Sequence, residues 1–132
     1  MRVVLDTNIF ISALAFPQGQ AARAVDAAAE GRYQLLLSYP IIHEVLDVLA
    51  RKFDRDAEAL SRVAVFLADL GERVEPRRRL HVLRDEPDNR ILECAVAGGA
   101  EAIVTGDRAM LALAAYKGVQ IVTLRQFLAQ LA

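Results

Sequence analysis

Short apolar runs alternate with helix-favouring segments along almost the whole chain, and this alternation constrains the fold more than any other feature. The runs that favour strands are residues 2–5, 34–37, 73–75, 101–104 and 119–122. The segments that favour helices are residues 20–30, 40–52, 56–70, 89–97, 108–116 and 124–131. Strands separated by helices of about ten or more residues pair in parallel, because the chain must cross back over the sheet. The sequence therefore predicts an α/β fold with three layers, a parallel sheet flanked by helices on both faces.

Local signals support individual helices. Ser38 followed by Pro40 is typical of a helix start. In segment 56–70, one helical stripe is apolar and consists of Leu60, Val63, Phe66, Leu67 and Leu70. This stripe could pack entirely against the core of the domain, or part of it could lie in an interface with another protein. The sequence is compatible with both.

Composition limits the class of protein. The 132 residues, 55% of them hydrophobic, predict one domain over residues 1–132. A net charge of −1 excludes a generally basic nucleic-acid binder but not a local basic surface. One cysteine excludes a disulfide framework and a cysteine-rich zinc site. The first apolar run stops at Asp6, too short for a signal peptide or a membrane span, so we expect a cytoplasmic protein with no membrane association.

Two of the predicted strands end close to an acid. Asp6 directly follows the first strand, and Asp107 lies three residues beyond the fourth. Taken alone, each aspartate fits a purely structural role, because aspartates after strands often form turns or cap the next helix. In parallel sheets, however, ligands bind at the carboxyl ends of the strands, where the chain reverses direction. Both acids therefore lie where chemistry is expected.

Two further acids are expected at the same edge. Asp88 precedes the predicted helix 89–97, where a capping role is the alternative, and Glu44 lies one turn into helix 40–52, where a surface position is the alternative. Four carboxylates on one rim repel one another unless a cation neutralises them. Carboxylate oxygens suit Mg²⁺ or Mn²⁺, and such a site activates water against a phosphodiester without a thiolate or serine nucleophile. The combination predicts metal-dependent hydrolysis.

Four blocks of the sequence resemble, in order, the motifs of PIN-domain nucleases. They are residues 3–14 (VVLDTNIFISAL), 38–45 (SYPIIHEV), 85–95 (DEPDNRILECA) and 102–107 (AIVTGD). The residues of these motifs are most similar to those of the toxin components of prokaryotic toxin–antitoxin systems, of the VapC type. The resemblance implies a Mg²⁺- or Mn²⁺-dependent endoribonuclease that acts on RNA, a homodimer, and an antitoxin protein that blocks the site.

The same resemblance assigns the site residues. It implies that the catalytic, metal-binding acids are Asp6, Glu44, Asp88 and Asp107. Supporting polar positions around the pocket fall on Thr7, Asn8, Ser12, Asn89 and Thr105. Asp88 is favoured over Asp85 because it directly precedes the apolar helix, as in the family motif, and Asp85 is expected to cap that helix or to be solvated. Many relatives carry another acid soon after the fourth, but Arg108, Ala109 and Met110 follow here. We therefore expect one firmly bound ion and a second brought with substrate.

Basic residues offer two sets of phosphate contacts. Arg90 and Arg108 each lie beside an acid assigned to the pocket and are the preferred candidates. The tract Arg77–Arg79 fits either an RNA backbone contact or a solvated loop. The solvated loop is favoured because no aromatic residue is interleaved with the arginines.

One rival function belongs to another class. A PIN-like module that binds RNA or a protein without cutting is expected to lose one or more of the acids, whereas this chain keeps all four. The sequence leaves open the RNA target, the identity of an antitoxin, the number of metal ions and the oligomeric state.

Overall fold

Six strands and seven helices make up the computed structural model, which describes residues 1–132. The strands are β1 (Arg2–Leu5), β2 (Gln34–Leu37), β3 (Glu72–Arg73), β4 (Ala102–Val104), β5 (Ala115–Tyr116) and β6 (Val119–Val122). The helices are α1 (Thr7–Ala15), α2 (Gln20–Ala29), α3 (Tyr39–Lys52), α4 (Ala57–Leu70), α5 (Glu86–Ala97), α6 (Arg108–Leu113) and α7 (Leu124–Leu131). The strands form one sheet in the order β3-β2-β1-β4-β6-β5.

The predicted α/β fold is confirmed. All strand pairs are parallel except β5 with β6. In the central strand β1, the consecutive residues Val3, Val4 and Leu5 are all completely buried. Consecutive side chains of a strand point to opposite faces, so both faces of the sheet are covered. Helix α5 contacts the three strands β1, β2 and β4 and brings its own residues close to the middle of the sheet.

Several boundaries follow their local signals closely. β2, β6 and α7 have the predicted bounds, and Thr123 starts α7 with a capping box. The Ser38 hydroxyl accepts a hydrogen bond of 3.4 Å from the backbone N–H of Ile41, as expected for the first turn of α3. In the apolar stripe of α4, Val63 and Leu67 are buried, whereas Phe66 is 41% exposed.

One helix was not predicted, and α5 differs most from its predicted start, whereas α3 and α4 start within one residue of theirs. Helix α1 was not predicted; its first residue, Thr7, follows Asp6, whose side chain makes no capping hydrogen bond to it. The missing cap and the β-branched residues of this segment leave little local helix signal. Helix α5 begins at Glu86 rather than at residue 89, because Pro87 fits the first turn of a helix.

The end of α6 is a further correction. The predicted helix 108–116 stops at Leu113, because Ala114 takes a left-handed conformation with φ of 60°. Strand β5 follows and pairs antiparallel with β6. Lys117 and Gly118 form the turn between these strands, both with positive φ, as in tight two-residue hairpins. The sheet is therefore mostly parallel rather than wholly parallel.

None of the helices is long and apolar enough to span a membrane.

Candidate active site

The site is built around the meeting of β1 and β4. From β1 the chain adds β2 and β3 on one side, and β4, β6 and β5 lie on the other. The carboxyl ends of β1 and β4 are thus the switch point at which ligands bind in such sheets. Leu5 pairs with Val104 in parallel register, and the N–H of Asp6 donates to the Val104 carbonyl at 2.9 Å. This register places Asp6 beside Thr105.

Thr105 connects two of the predicted acids. Its hydroxyl donates to Oδ2 of Asp6 at 2.6 Å and accepts from the N–H of Asp107 at 3.0 Å. Oδ2 of Asp107 accepts from the N–H of Met110 at 2.9 Å and so caps α6. Both sequence interpretations of Asp107 are therefore compatible, since the cap occupies one carboxylate oxygen and leaves Oδ1 free of hydrogen bonds.

Asp88 lies in the first turn of α5 and is 7% exposed. Its Oδ2 is buried and has no hydrogen-bond partner. The predicted capping alternative is wrong for both aspartates of this turn: Asp88 lies inside the helix, and Asp85, at the N-cap position, makes no side-chain cap. Asp85 is exposed, in agreement with its predicted solvated position. The structure thus isolates Asp88 as the buried acid of the block.

The three acids Asp6, Asp88 and Asp107 perturb one another electrostatically. Burial, followed by the charges of Asp107, Asp6 and Asp85, raises the pKa of Asp88 to about 7. Burial is also the main cause that raises the pKa of Asp6, with a smaller contribution from the charge of Asp107. Hydrogen bonds from Thr105 and from the backbone of Thr7 and Asn8 oppose that rise. The cluster therefore holds concentrated negative charge that water solvates poorly.

Glu44 lies apart from this cluster. It is half-buried on α3 and, with Thr7, Glu86 and Arg90, lines a neighbouring cavity of about 180 Å³. Its charge is not among the causes that raise the pKa of Asp6 or of Asp88. No three His, Cys, Asp or Glu side chains are grouped closely enough to enclose a single ion. The structure thus places three of the four predicted acids near enough for their charges to affect one another, but not around one point, and it leaves Glu44 on the flank.

The donor set nevertheless fits a hard divalent cation. None of the four predicted acids forms an ion pair with Lys, Arg or His. Oδ2 of Asp88 is an orphaned buried acceptor, and Oδ1 of Asp107 is unbonded. Carboxylate oxygens without cationic side chains are the ligands that Mg²⁺ and Mn²⁺ favour, often with waters completing the shell. Asp6, Asp88 and Asp107 could each supply a carboxylate ligand to such an ion, with waters as further ligands, although the three side chains do not enclose a single point here.

The predicted supporting residues fall into two groups. Thr7 is buried beside Asp6, Ser12 is half-buried one turn later, and Asn8 is exposed. Asn89 is completely buried, but its side chain contacts none of the acids of the cluster. Instead its Oδ1 accepts from the N–H groups of Val82 and Leu83, and its Nδ2 donates to the Leu83 carbonyl. Asn89 therefore fixes a loop rather than a carboxylate.

The predicted phosphate contacts differ in their availability. Arg90 is largely buried and pairs with Glu86 at 3.1 Å and Glu93 at 2.9 Å. Its guanidinium also donates to the Leu80 carbonyl, so intramolecular partners occupy it. Arg108 is exposed and forms no ion pair. Of the two, Arg108 keeps its charge free for a phosphate.

Glu93 is a buried polar residue that the sequence interpretation missed. It is 6% exposed, and Oε2 accepts from the N–H of Leu80 at 2.8 Å. With Asn89 and Arg90 it ties the segment before α5 to that helix. The available signal was an acid inside the otherwise apolar part of α5, Ile91–Ala97, because a charge in such a run is retained only with partners.

Comparisons with known proteins agree with this geometry. A family model for the PIN domain matches residues 2–109, a range that contains all four predicted acids. An uncharacterized protein of Methanocaldococcus jannaschii is 29% identical over 117 residues, covering 86% of this chain and 75% of that protein. A chain in the crystal structure of VapBC2 from Rickettsia felis bound to a DNA fragment from their promoter superposes with a TM-score of 0.66. That match has 14% identity and covers 93% of this chain and 98% of the other, so it establishes a common fold.

Proposed function

This chain belongs to the PIN-domain family, and from that premise we propose that it is a Mg²⁺- or Mn²⁺-dependent endoribonuclease. The observation that carries the proposal is the cluster of Asp6, Asp88 and Asp107 at the switch point of the sheet, in which Asp6 and Asp88 are buried, Asp107 is half-buried and none has a cationic partner. A buried carboxylate cluster is costly unless something neutralises it. Binding of a divalent cation offsets that cost and gives the cluster a chemical use.

The residues of the chain have distinct tasks in this proposal. Asp6, Asp88 and Asp107 would supply carboxylate ligands to an ion once their side chains converge on it, and the bound ion would supply an activated water and neutralise charge on the phosphate. Thr105 orients the Asp6 carboxylate, and the cap on α6 fixes that of Asp107. Glu44 faces the adjoining cavity, where it is available to a second ion that arrives with substrate.

The cleavage test compares two carboxylate variants. Wild type should cut single-stranded RNA with Mn²⁺ and stop when EDTA is added. Asp6→Asn should lower the rate about 100-fold or more, as loss of a metal ligand or of site electrostatics does. Asp69→Asn, an exposed aspartate of α4 without an ion pair, is the matched control and should cut at the wild-type rate. Equal cleavage by wild type and Asp6→Asn would refute the assignment of the site.

Metal binding has a second readout in the stability of the fold. An ion that binds the folded state alone stabilises it by RT ln(1 + [L]/Kd). Graded Mn²⁺ should therefore raise the Tm of wild type and of Asp69→Asn equally, and that of Asp6→Asn less. An equal gain in all three proteins would place the ion elsewhere.

The partner proposal is that the chain is the toxin of a toxin–antitoxin pair. The support is family membership together with the fold common to a chain of VapBC2, and an uncompensated acidic pocket that a basic antitoxin side chain would fit. Exposed apolar residues of α4, Val65 and Phe66, support self-association as a homodimer. Pull-down from the native host should recover a small second protein. Recovery of homo-oligomers alone, across growth conditions, would favour a free-standing nuclease.

A module that binds RNA or protein without cutting is the second candidate. The observation in its favour is that Glu44 stands apart and no three carboxylates enclose one point. RNA binding in EDTA, without cleavage in Mn²⁺ at any pH from 6 to 9, would support it over the enzyme.

A further inference from the structure

A groove rich in arginine lies next to the cavity that contains Glu44. We define this basic groove by the residues Tyr39, Pro40, Arg73, Arg77, Arg78 and Arg79, which line a cavity of about 400 Å³. Glu75 and Glu93 also line it, but each of them is paired with an arginine. We infer that this groove binds the backbone of single-stranded RNA and leads the strand to the acidic cluster; the inference rests on the proposed nuclease function.

The arginines of the groove carry free charge. Arg77, Arg78 and Arg79 are exposed, and none of them forms an ion pair. The guanidinium of Arg73 lies 3.7 Å from the carboxylate of Glu75. Both side chains are exposed, so water and salt screen this ion pair. Guanidinium groups bind phosphate with two parallel hydrogen bonds, so a run of three free arginines favours a polyanion over a neutral partner.

The backbone that presents these arginines is fixed at both ends. On one side the N–H of Val74 donates to the Leu37 carbonyl at 2.7 Å and continues the pairing beyond β3. On the other side Leu80 is held by Glu93 and Arg90, as Leu83 is by Asn89. Buried polar side chains are thus devoted to holding an exposed basic segment. These hydrogen bonds hold the basic segment in one conformation. A binding surface that is preorganised in this way loses less entropy when it binds.

An aromatic platform is present, although the sequence offers none near the tract. Tyr39, the first residue of α3, is 64% exposed, and the Arg73 guanidinium lies 5.9 Å from the centre of its ring. Tyr39 lines the same cavity as Arg77–Arg79. Unpaired bases stack on such rings, whereas the bases of a duplex are already stacked on one another. The combination of free arginines with a tyrosine therefore favours a single strand.

The groove adjoins the cavity that contains Glu44. Pro40 lines both the basic groove and the cavity that contains Thr7 and Glu44. Topology agrees, because Leu37 pairs with Arg73 in parallel register, and the chain therefore leaves β3 at the same edge of the sheet that carries Asp6. Away from that edge the groove continues into a larger cavity of about 610 Å³ that reaches Arg2 and Gly98. A strand bound in the groove would thus extend towards Glu44 and the sheet edge that carries Asp6.

Binding without cleavage tests the groove separately from the chemistry. The probe is a fluorescent single-stranded RNA of about 12 nucleotides, within the usual range for single-strand binders, and anisotropy is measured with the full chain in EDTA. The double variant Arg77→Ala/Arg78→Ala should bind about tenfold more weakly or worse. Its plot of log K against log salt should be shallower by about 1.4, because two phosphate contacts are lost.

A matched control separates position from charge. Arg23→Ala/Arg125→Ala removes the same charge from exposed, unpaired arginines of α2 and α7 and should stay within about twofold of wild type. Tyr39→Ala should lose about fivefold or more, and Tyr39→Phe should recover it, since stacking needs the ring and not the hydroxyl. Thermal melting of each variant should match wild type, because all of these side chains are exposed.

Three outcomes would overturn the inference. They are equal losses in the groove and control doubles, no effect of Tyr39→Ala, or tighter binding of duplex DNA than of the single-stranded RNA. Cleavage by the same proteins in Mn²⁺ distinguishes the two proposals. If wild type cuts RNA and the groove double cuts and binds equally well, the groove inference fails alone. If binding depends on the groove but wild type never cuts, the nuclease proposal fails alone.

Discussion

Helix α5 carries two buried carboxylates that differ in their hydrogen-bond partners and in the charges around them. Asp88 in its first turn and Glu93 in its middle are 7% and 6% exposed. Glu93 accepts from the backbone of Leu80 and pairs with Arg90, whereas Oδ2 of Asp88 has no partner and faces the charges of Asp107 and Asp6. The two carboxylates are therefore equally buried, but burial costs more free energy for Asp88 than for Glu93. The satisfied acid supports the fold, and the unsatisfied acid retains a charge that only a ligand can neutralise.

Activity should separate the two acids most strongly. Asp88→Asn should lower Mn²⁺-dependent RNA cleavage about 100-fold or more, because an amide removes the charge that holds the cation. Glu93→Gln is isosteric in the same way and should lower cleavage less than about tenfold, through movement of the basic segment alone. Initial rates at saturating Mn²⁺ measure both. A larger loss for Glu93→Gln than for Asp88→Asn would reverse the comparison.

Folding stability should rank the same pair in the opposite order. Glu93→Gln weakens a charged hydrogen bond and an ion pair in a buried setting, so the free energy of unfolding should fall by roughly 2 kcal/mol. Glu86→Gln is the matched control, because Glu86 pairs with the same Arg90 but is exposed; its cost should stay below about 0.5 kcal/mol. Asp88→Asn should be neutral or stabilising without metal. Urea unfolding at pH 7 in EDTA compares the three variants, and equal losses for Glu93→Gln and Glu86→Gln would contradict the role of burial.

The pH dependence of stability follows from the raised pKa of Asp88. Its ordinary value is 3.8 and its value in the fold is about 7. Between these values the folded chain holds a proton that the unfolded chain has released, so the stabilisation is complete below about pH 4 and is lost as the pH rises to 7. The metal-free protein should therefore lose on the order of 1–2 kcal/mol of unfolding free energy over that range, after screening.

The control for this pH effect is Asp88→Asn. Its unfolding free energy should depend less on pH between 4 and 7, with the remaining slope due partly to Asp6, whose pKa is also raised. Glu93→Gln should keep the wild-type slope. A variant and a wild type with parallel pH profiles would show that Asp88 is not the group that titrates.

The sequence predicts best what short-range chemistry decides. β2, β6 and α7 begin and end where apolar runs, turns and caps dictate, as the capping box of Thr123 illustrates. Asp6 and Asp107 could be assigned to one edge because the carboxyl ends of parallel strands coincide. The turn at Lys117 and Gly118 also had a local signal, a glycine between two short apolar runs, which predicts a hairpin when it is taken into account.

The remainder depends on contacts between distant segments. Nothing near Glu93 indicates that its partner is the backbone of Leu80, and nothing near Arg77–Arg79 indicates that Tyr39 lies beside them. The separation of Glu44 from the other acids depends on how α3 packs against α5, which no motif encodes. Ala114 has a φ of 60°, which alanine rarely adopts and no local signal predicts, and its carbonyl accepts a hydrogen bond from the N–H of Ile121, seven residues later.

The smallest expected effect concerns Asp85, the exposed aspartate at the N-cap position of α5. Asp85 lies three residues before Asp88 and makes no cap, yet its charge contributes to the raised pKa of Asp88. Asp85→Asn should therefore lower the pKa of Asp88 slightly and change cleavage by less than about threefold, because water screens an exposed charge. Rate against pH for wild type and this variant measures the shift. A loss as large as that of Asp88→Asn would move the third acid of the site to Asp85, and the contrast between Asp88 and Glu93 would no longer explain the chemistry.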